Sequence, residues 1–324
     1  MNSGSLKRMK NEITMFVVLV ALIAFFSLSA DKFLTGTNLI NVMRQIAMIG
    51  ITSIGMTFII LTAGMDLSAG SVLAVSGIIT GVAMVNFGIS PPIAILIGLL
   101  SGVLVGLING LVIAYFKIPP FVTTLGSMQI FKGAAFIITG GMPVFGFPKA
   151  FGAIGKGYVS FIPIPVIIMI VLMAVGWVVL NKTKYGRHLY AIGGNMEAAR
   201  LSGVKVNKQI ILTYILGGLF AAVAGIIMAA RVDAGQPNVG LDFGLDVITA
   251  VVLGGVSIMG GEGKLTGVII GVLIMGVLDN GLIMMNVYEY YQYVIKGLVL
   301  LLAVGFDQFN KYNRIRSRKE LKQA

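Results

Sequence analysis

Long apolar runs alternate with short polar breaks along almost the whole chain. They occupy residues 13–30, 38–61, 67–85, 91–115, 121–139, 162–180, 209–229, 245–259, 265–286 and 288–304. About 20 apolar residues are what a helix needs to cross a bilayer, and a helix satisfies its own backbone polar groups there. The pattern predicts an all-α polytopic membrane protein with about ten transmembrane helices. The breaks carry start signals. Pro91-Pro92 and Pro119-Pro120 open runs, where a missing N–H costs nothing. Thr37 or Asn38 can cap the second run and Asp66 the third, by accepting from orphan N–H groups. Asp66 has a second reading, as a partner contact or gate. The runs at 121–139 and 245–259 are the least secure, since short or interrupted segments often belong to pathways. Residues 140–160, rich in Gly, Pro and Phe, are expected to form an ordered external loop, and 231–244 a second.

Charge then orients the chain. Only 11% of the 324 residues are charged, against about 25% in soluble proteins. The net charge of +12 could suggest nucleic acid, but its placement argues for a membrane. Lys7, Arg8 and Lys10 precede the first run, and Lys311, Arg314, Arg316, Arg318, Lys319 and Lys322 follow the last. This positive-inside pattern puts both termini in the cytoplasm and requires an even number of spans. It divides the chain into a cytoplasmic segment 1–12, a transmembrane domain 13–305 with a cytoplasmic loop 181–208, and a basic tail 306–324 that can attract anionic lipid. The first run with its basic flank resembles a signal peptide, but Leu28 fits a cleavage site poorly, so it is expected to stay. Arg44 and Gln45 near the outer end of the second run are expected to snorkel. With no cysteine and only His188, neither a disulfide nor a thiolate or multi-histidine metal site is expected, and no cofactor is expected in this chain.

The polar loop gathers Lys182, Lys184, Arg187, His188, Glu197, Arg200, Lys205 and Lys208. Gly193-Gly194-Asn195 can start a short helix, with Asn195 as N-cap and Glu197 in its first turn; Ala198, Ala199 and Arg200 continue it and Gly203 ends it. From spacing this is either a connecting loop that marks the cytoplasmic side or a helix that holds a soluble partner.

Other polar residues lie inside the runs. Thr123, Thr124, Ser127, Gln129 and Lys132 fall in one, Gln292 and Lys296 in another, beside Tyr290, Tyr291 and Tyr293. Such groups usually face a bundle interior or a wet cavity, and amides, hydroxyls and aromatic rings suit a hydroxylated solute. The alternative is that Lys132 and Lys296 snorkel outward while the amides join helices. Gly106 to Leu111 and Gly276 to Leu282 align with one inserted residue, and glycines recur every fourth position at 98–110 and 263–271. Runs five apart cross in opposite directions, so this spacing fits an inverted repeat, or simply two glycine-packed helices. Gly260 to Thr266 is not a phosphate loop, because Ile258 and Leu265 stand where that motif needs Gly and Ser or Thr. Any ATP must be hydrolysed by another chain. No paired carboxylates, Ser-His-Asp set or metal cluster is expected at one depth, which argues against an enzyme.

Residues 64–71 (Gly-Met-Asp-Leu-Ser-Ala-Gly-Ser), 185–203 (Tyr-Gly-Arg-His-Leu-Tyr-Ala-Ile-Gly-Gly-Asn-Met-Glu-Ala-Ala-Arg-Leu-Ser-Gly), 250–255 (Ala-Val-Val-Leu-Gly-Gly) and Tyr291-Gln292 resemble the membrane subunits of ribose-type sugar ABC importers. Branched-chain amino-acid permeases are more distant relatives. The resemblance implies a type II ABC importer permease fold and a homodimer in a bacterial inner membrane. It implies two cytoplasmic ATP-binding domains, as separate subunits or a tandem ATPase, which carry the ATP and Mg, and an extracytoplasmic sugar-binding protein. Gly194, Asn195, Glu197, Ala198, Ala199, Arg200 and Gly203 would then form the coupling helix seated on the ATPase. The expected function is translocation of ribose or a related monosaccharide into the cytoplasm. Thr124, Ser127, Gln129, Lys132, Gln292 and Lys296 are the substrate-pathway candidates from the residues themselves. A self-sufficient secondary transporter or channel for a small polar solute is the alternative.

Overall fold

The computed structural model describes the backbone of residues 3–323 and the side chains of 13–305 and 308. The basic side chains at 7–10 and 311–322 lie outside the described set. Among the described residues six helices are long and apolar enough to cross a membrane: α2 (Gly36–Leu61), α4 (Pro91–Phe116), α5 (Pro120–Thr139), α7 (Ile164–Lys182), α10 (Val206–Val232) and α12 (Leu265–Met284). Three apolar stretches are shorter: Ile13–Ser29 within α1 (Ser3–Ser29), α3 (Ala69–Val85) and α11 (Phe243–Leu253). The last helix, α13 (Glu289–Gln323), is apolar in its first half. Between α5 and α7 lie β1 (Val144–Phe145), α6 (Lys149–Lys156), β2 (Tyr158–Val159) and β3 (Ile162–Pro163); α8 (Lys184–Gly194) and α9 (Met196–Leu201) follow α7, and β4 (Ala234–Gly235) follows α10.

α10 is the hub, packed against α2, α3 and α4. Its crossing with α4 is backbone to backbone: a β-carbon on Gly218 would lie 2.1 Å from the Gly102 carbonyl oxygen, and one on Gly102 2.5 Å from that of Gly218. Every fourth residue on α4 faces the partner, so glycine at that spacing makes a flat face. The second glycine series does similar work, with Gly267 and Gly271 of α12 against Gly254 and Ala250.

Several expectations are corrected. The apolar run 245–259 is not one helix. α11 has 11 residues, about 16 Å, which cannot cross a core of about 30 Å. Gly255 follows with φ +82°, and the rest of the run is irregular. Thr35, not Thr37 or Asn38, caps α2 by accepting from the Asn38 N–H. Asp66 does not cap α3 directly. Its Oδ1 accepts from the Ser68 N–H (2.8 Å) and hydroxyl (2.6 Å), outside the helix. Arg44 and Gln45 do not simply snorkel. Arg44 donates to the Lys156 carbonyl (2.7 Å) and lies over the Tyr158 ring, and the Gln45 amide reaches Asp279 at 3.5 Å.

The 140–160 loop is ordered, and β1 pairs antiparallel with β4 (Val144 opposite Gly235). Beyond β4 the chain runs through turns at 237–242, where the Gly240 carbonyl fills the space in which Gly70 would carry a β-carbon, 1.9 Å from it. The start of α3 therefore abuts the start of α11, where Gly244 faces the Leu67 carbonyl.

One polar pair joins distant ends of the chain. Asn38 of α2 and Asn280 of α12 exchange reciprocal amide bonds of 2.8 and 2.9 Å, both buried. Asn38→Leu orphans the partner amide and should cost about 1–3 kcal/mol, whereas Asn38→Leu with Asn280→Leu should recover most of it. A double-mutant cycle on thermal unfolding checks this; additive losses would refute the coupling.

Candidate functional site

A cavity of about 450 Å³ opens where α3, α5, α11, α13 and the segment before α11 converge. α11 and α13 each present two polar groups one turn apart, and α5 presents one. Asp246 and Thr249 come from α11, Tyr293 and Lys296 from α13, and Lys132 from α5, one turn beyond Met128. Ser71 of α3 donates to the Met128 carbonyl at 2.8 Å and so ties two walls together.

One wall is ionic. The Lys296 ammonium lies 2.9 Å from Asp246 Oδ2 and 2.8 Å from Asp279 Oδ1, with all three side chains at least four-fifths buried. Gln45 reaches the other oxygen of Asp279. The cluster links α2, α11, α12 and α13. It corrects two expectations: Lys296 does not snorkel, and two carboxylates do share one depth. In a low-dielectric site this attraction is strong, and charges lacking it would carry a large desolvation cost.

The pathway candidates separate. Lys132 and Lys296 line the cavity. Thr124 donates to the Pro120 carbonyl at 2.9 Å and also lies 3.3 Å from that of Met65. The Ser127 hydroxyl donates to Asn109 Oδ1, Asn109 donates to the Ser68 hydroxyl (3.0 Å), and Ser68 donates to Asp66. Ser127 thus belongs to a buried network joining the start of α3 to α4 and α5, whereas Thr124 bonds only main-chain carbonyls. Gln129 faces outward, and the Gln292 amide donates to the Val287 carbonyl at the start of α13 (2.8 Å). Asp246 and Asp279 were missed by the sequence reading, although a carboxylate inside an apolar run is itself a signal.

The second feature lies at the opposite end of α2. Thr183 caps α8, its hydroxyl accepting from the Gly186 N–H at 3.3 Å. Tyr185 on α8 donates to the Thr213 hydroxyl at 2.8 Å, since that hydroxyl spends its own proton on the Gln209 carbonyl. Burial pushes the Tyr185 ionisation far above the usual tyrosine range, so it stays a neutral donor. Gly193 and Gly194 close α8 rather than open the next helix. Asn195 caps α9, its Oδ1 accepting from Ala198 N–H at 2.9 Å, and Gly203 sits beyond the helix with φ +85°. Ala199 is buried, packed in a small cluster with Ile113, Val206 and Ile210, while Glu197, Ala198, Arg200 and Leu201 are exposed. Glu197 and Arg200 pair at 2.8 Å.

This helix pair is clasped to the transmembrane body. A β-carbon on Gly193 would lie 1.9 Å from the Leu61 carbonyl oxygen and 2.4 Å from the Gly261 nitrogen, while Gly261 itself donates to Leu61 (3.0 Å). Tyr190 donates to the Gly263 carbonyl at 2.9 Å. The glycine turn at 260–263 therefore joins the end of α2, the end of α8 and the link from α11 to α12.

The family model described as branched-chain amino acid transport system / permease component matches residues 38–304. The ribose import permease protein of Bacillus subtilis (strain 168) is 43% identical over 295 residues, covering 90% of this chain and 91% of that protein. The corresponding ribose protein of Escherichia coli (strain K12) is 41% identical over 295 residues (90% and 92%). The L-arabinose transport system permease protein of the same strain is 40% identical over 310 residues (96% and 94%). No solved structure matches the chain.

Proposed function

Because the chain belongs to the family of branched-chain amino acid transport system permease components, and to its ribose-type ABC permeases, we propose that it is the membrane-spanning subunit of an ATP-driven importer. It passes ribose or a related monosaccharide from an extracytoplasmic binding protein into the cytoplasm. The observation that carries this reading is α9: an exposed, capped helix whose buried Ala199 fixes it to the body and whose neighbour Gly193 is clasped to α2 and the 260–263 turn. A rigid link of that kind transmits force from a separate motor. ATP and Mg belong to that partner ATPase, and two copies of this chain form the pathway in a bacterial inner membrane with both termini cytoplasmic.

Ten membrane segments fit this role: the six long helices, the apolar parts of α1 and α13, and the short helices α3 and α11. Each short helix follows a non-helical segment and packs on the two membrane helices after it, α3 on α4 and α5, α11 on α12 and α13. That correspondence favours the inverted-repeat reading, with a site where the two interrupted helices begin.

The test is reconstitution in vesicles with the co-purified ATPase and binding protein. Labelled D-ribose should accumulate only with all components and ATP. Uptake by this chain alone under an ion gradient would instead support a secondary transporter, a reading favoured by the buried Lys296 cluster. Within the complex, Glu197→Lys reverses one charge at the exposed face of α9. Hydrolysis stimulated by the loaded binding protein should fall about tenfold with basal hydrolysis retained. Unchanged stimulation would count against docking at α9.

A further inference from the structure

The cavity's charges balance. Lys132 and Lys296 face Asp242 and Asp246, two cations against two carboxylates. They are not all spent on one another. Asp246 gives Oδ2 to Lys296, while its Oδ1 has no partner among the described residues. Lys132 likewise has no ion-pair partner among them. A free acceptor and a free donor therefore share one cavity, whose remaining lining includes the apolar side chains of Met128, Leu245 and Leu300. Its volume is in the range of small-molecule sites, about 300–1,000 Å³. An anion would meet Asp242 and Asp246 and a cation would meet the lysines. A neutral polyol can use both, since each hydroxyl donates and accepts, while its C–H face lies on apolar side chains.

Resting on the importer reading, we propose that this cavity is a sugar-binding station within the permease and that Asp246 and Lys132 determine its selectivity for uncharged polyols. Asp246 accepts from substrate hydroxyls through Oδ1 and Lys132 donates from α5. Asp279 is a positioning residue, which holds Lys296 so that the ammonium does not draw both Asp246 oxygens from the cavity.

The asymmetry of the cluster makes a clean test. Asp246→Asn leaves Lys296 paired with Asp279, one cation to one anion, so the fold keeps a neutral core. Lys132→Met touches no ion pair. Saturation-transfer NMR on the chain in phosphatidylethanolamine–phosphatidylglycerol nanodiscs uses D-ribose and its anionic counterpart D-ribonate as probes. The wild type should bind D-ribose and exclude D-ribonate. Both variants should lose D-ribose affinity by about tenfold, and Asp246→Asn alone should gain D-ribonate binding. The proposal is overturned if the wild type gives no D-ribose signal, if both variants bind D-ribose unchanged, or if Asp246→Asn loses D-ribose without admitting D-ribonate. No ATPase is present, so failure here is distinct from failure of ATP-driven uptake.

Discussion

Lys296→Met should destabilise the protein by about 3–5 kcal/mol, the cost of leaving a buried charge uncompensated. The ammonium holds two carboxylates, Asp246 at 2.9 Å and Asp279 at 2.8 Å, on helices that otherwise meet through apolar contacts. Without it Asp279, which lies off the cavity, is left buried with no cation, and Asp246 keeps only the contact its free oxygen makes with the cavity. The substitution keeps most of the side chain's volume, so the loss reports charge rather than a cavity. Adding Asp246→Asn and Asp279→Asn to the Lys296→Met background should restore most of the stability, because removing a whole ionic cluster costs far less than removing one member. Thermal unfolding can be followed through Trp177, the lone tryptophan. A single variant as stable as the wild type, or a triple variant no better than the single, would show that the cluster does not hold these helices together.

Gly193→Ala is expected to lower ATP-driven uptake by at least about tenfold while basal ATP hydrolysis persists. Its methyl group would enter the Leu61 carbonyl oxygen and the Gly261 nitrogen, at 1.9 and 2.4 Å. Both neighbours are backbone, so no rotamer change relieves the clash; the end of α8 must withdraw from α2 and from the 260–263 turn. That turn leads directly into α12 and back to α11, which carries Asp246 into the cavity. Motion of α9 would then no longer reach the substrate station. Gly194→Ala is the control, because nothing lies within 4 Å of its added carbon. Uptake within about twofold of wild type is expected there, and equal losses at both positions would sink the clasp as the transmitter.

The sequence by itself determined the membrane class, the ends of most long helices, the cap at Asn195 and the family, because each of these is written in neighbouring residues. Hydropathy reports transfer into lipid, helix starts depend on a few residues, and glycine at every fourth position makes a packing face without reference to the partner. Only the tertiary structure decided that 245–259 is helix as far as Leu253 and irregular beyond it: an apolar turn packed against protein reads like an apolar helix in lipid, so composition cannot separate them. It also decided that Gly193-Gly194 ends a helix, a choice that depends on how closely Leu61 and Gly261 approach. The cavity was hidden for the same reason. Asp246, Asp279 and Lys296 lie on three different helices, and Asn38 meets Asn280 across 242 residues. Local signals fix what a segment is, whereas charge pairing is fixed by which segments become neighbours, and that follows from packing the whole bundle.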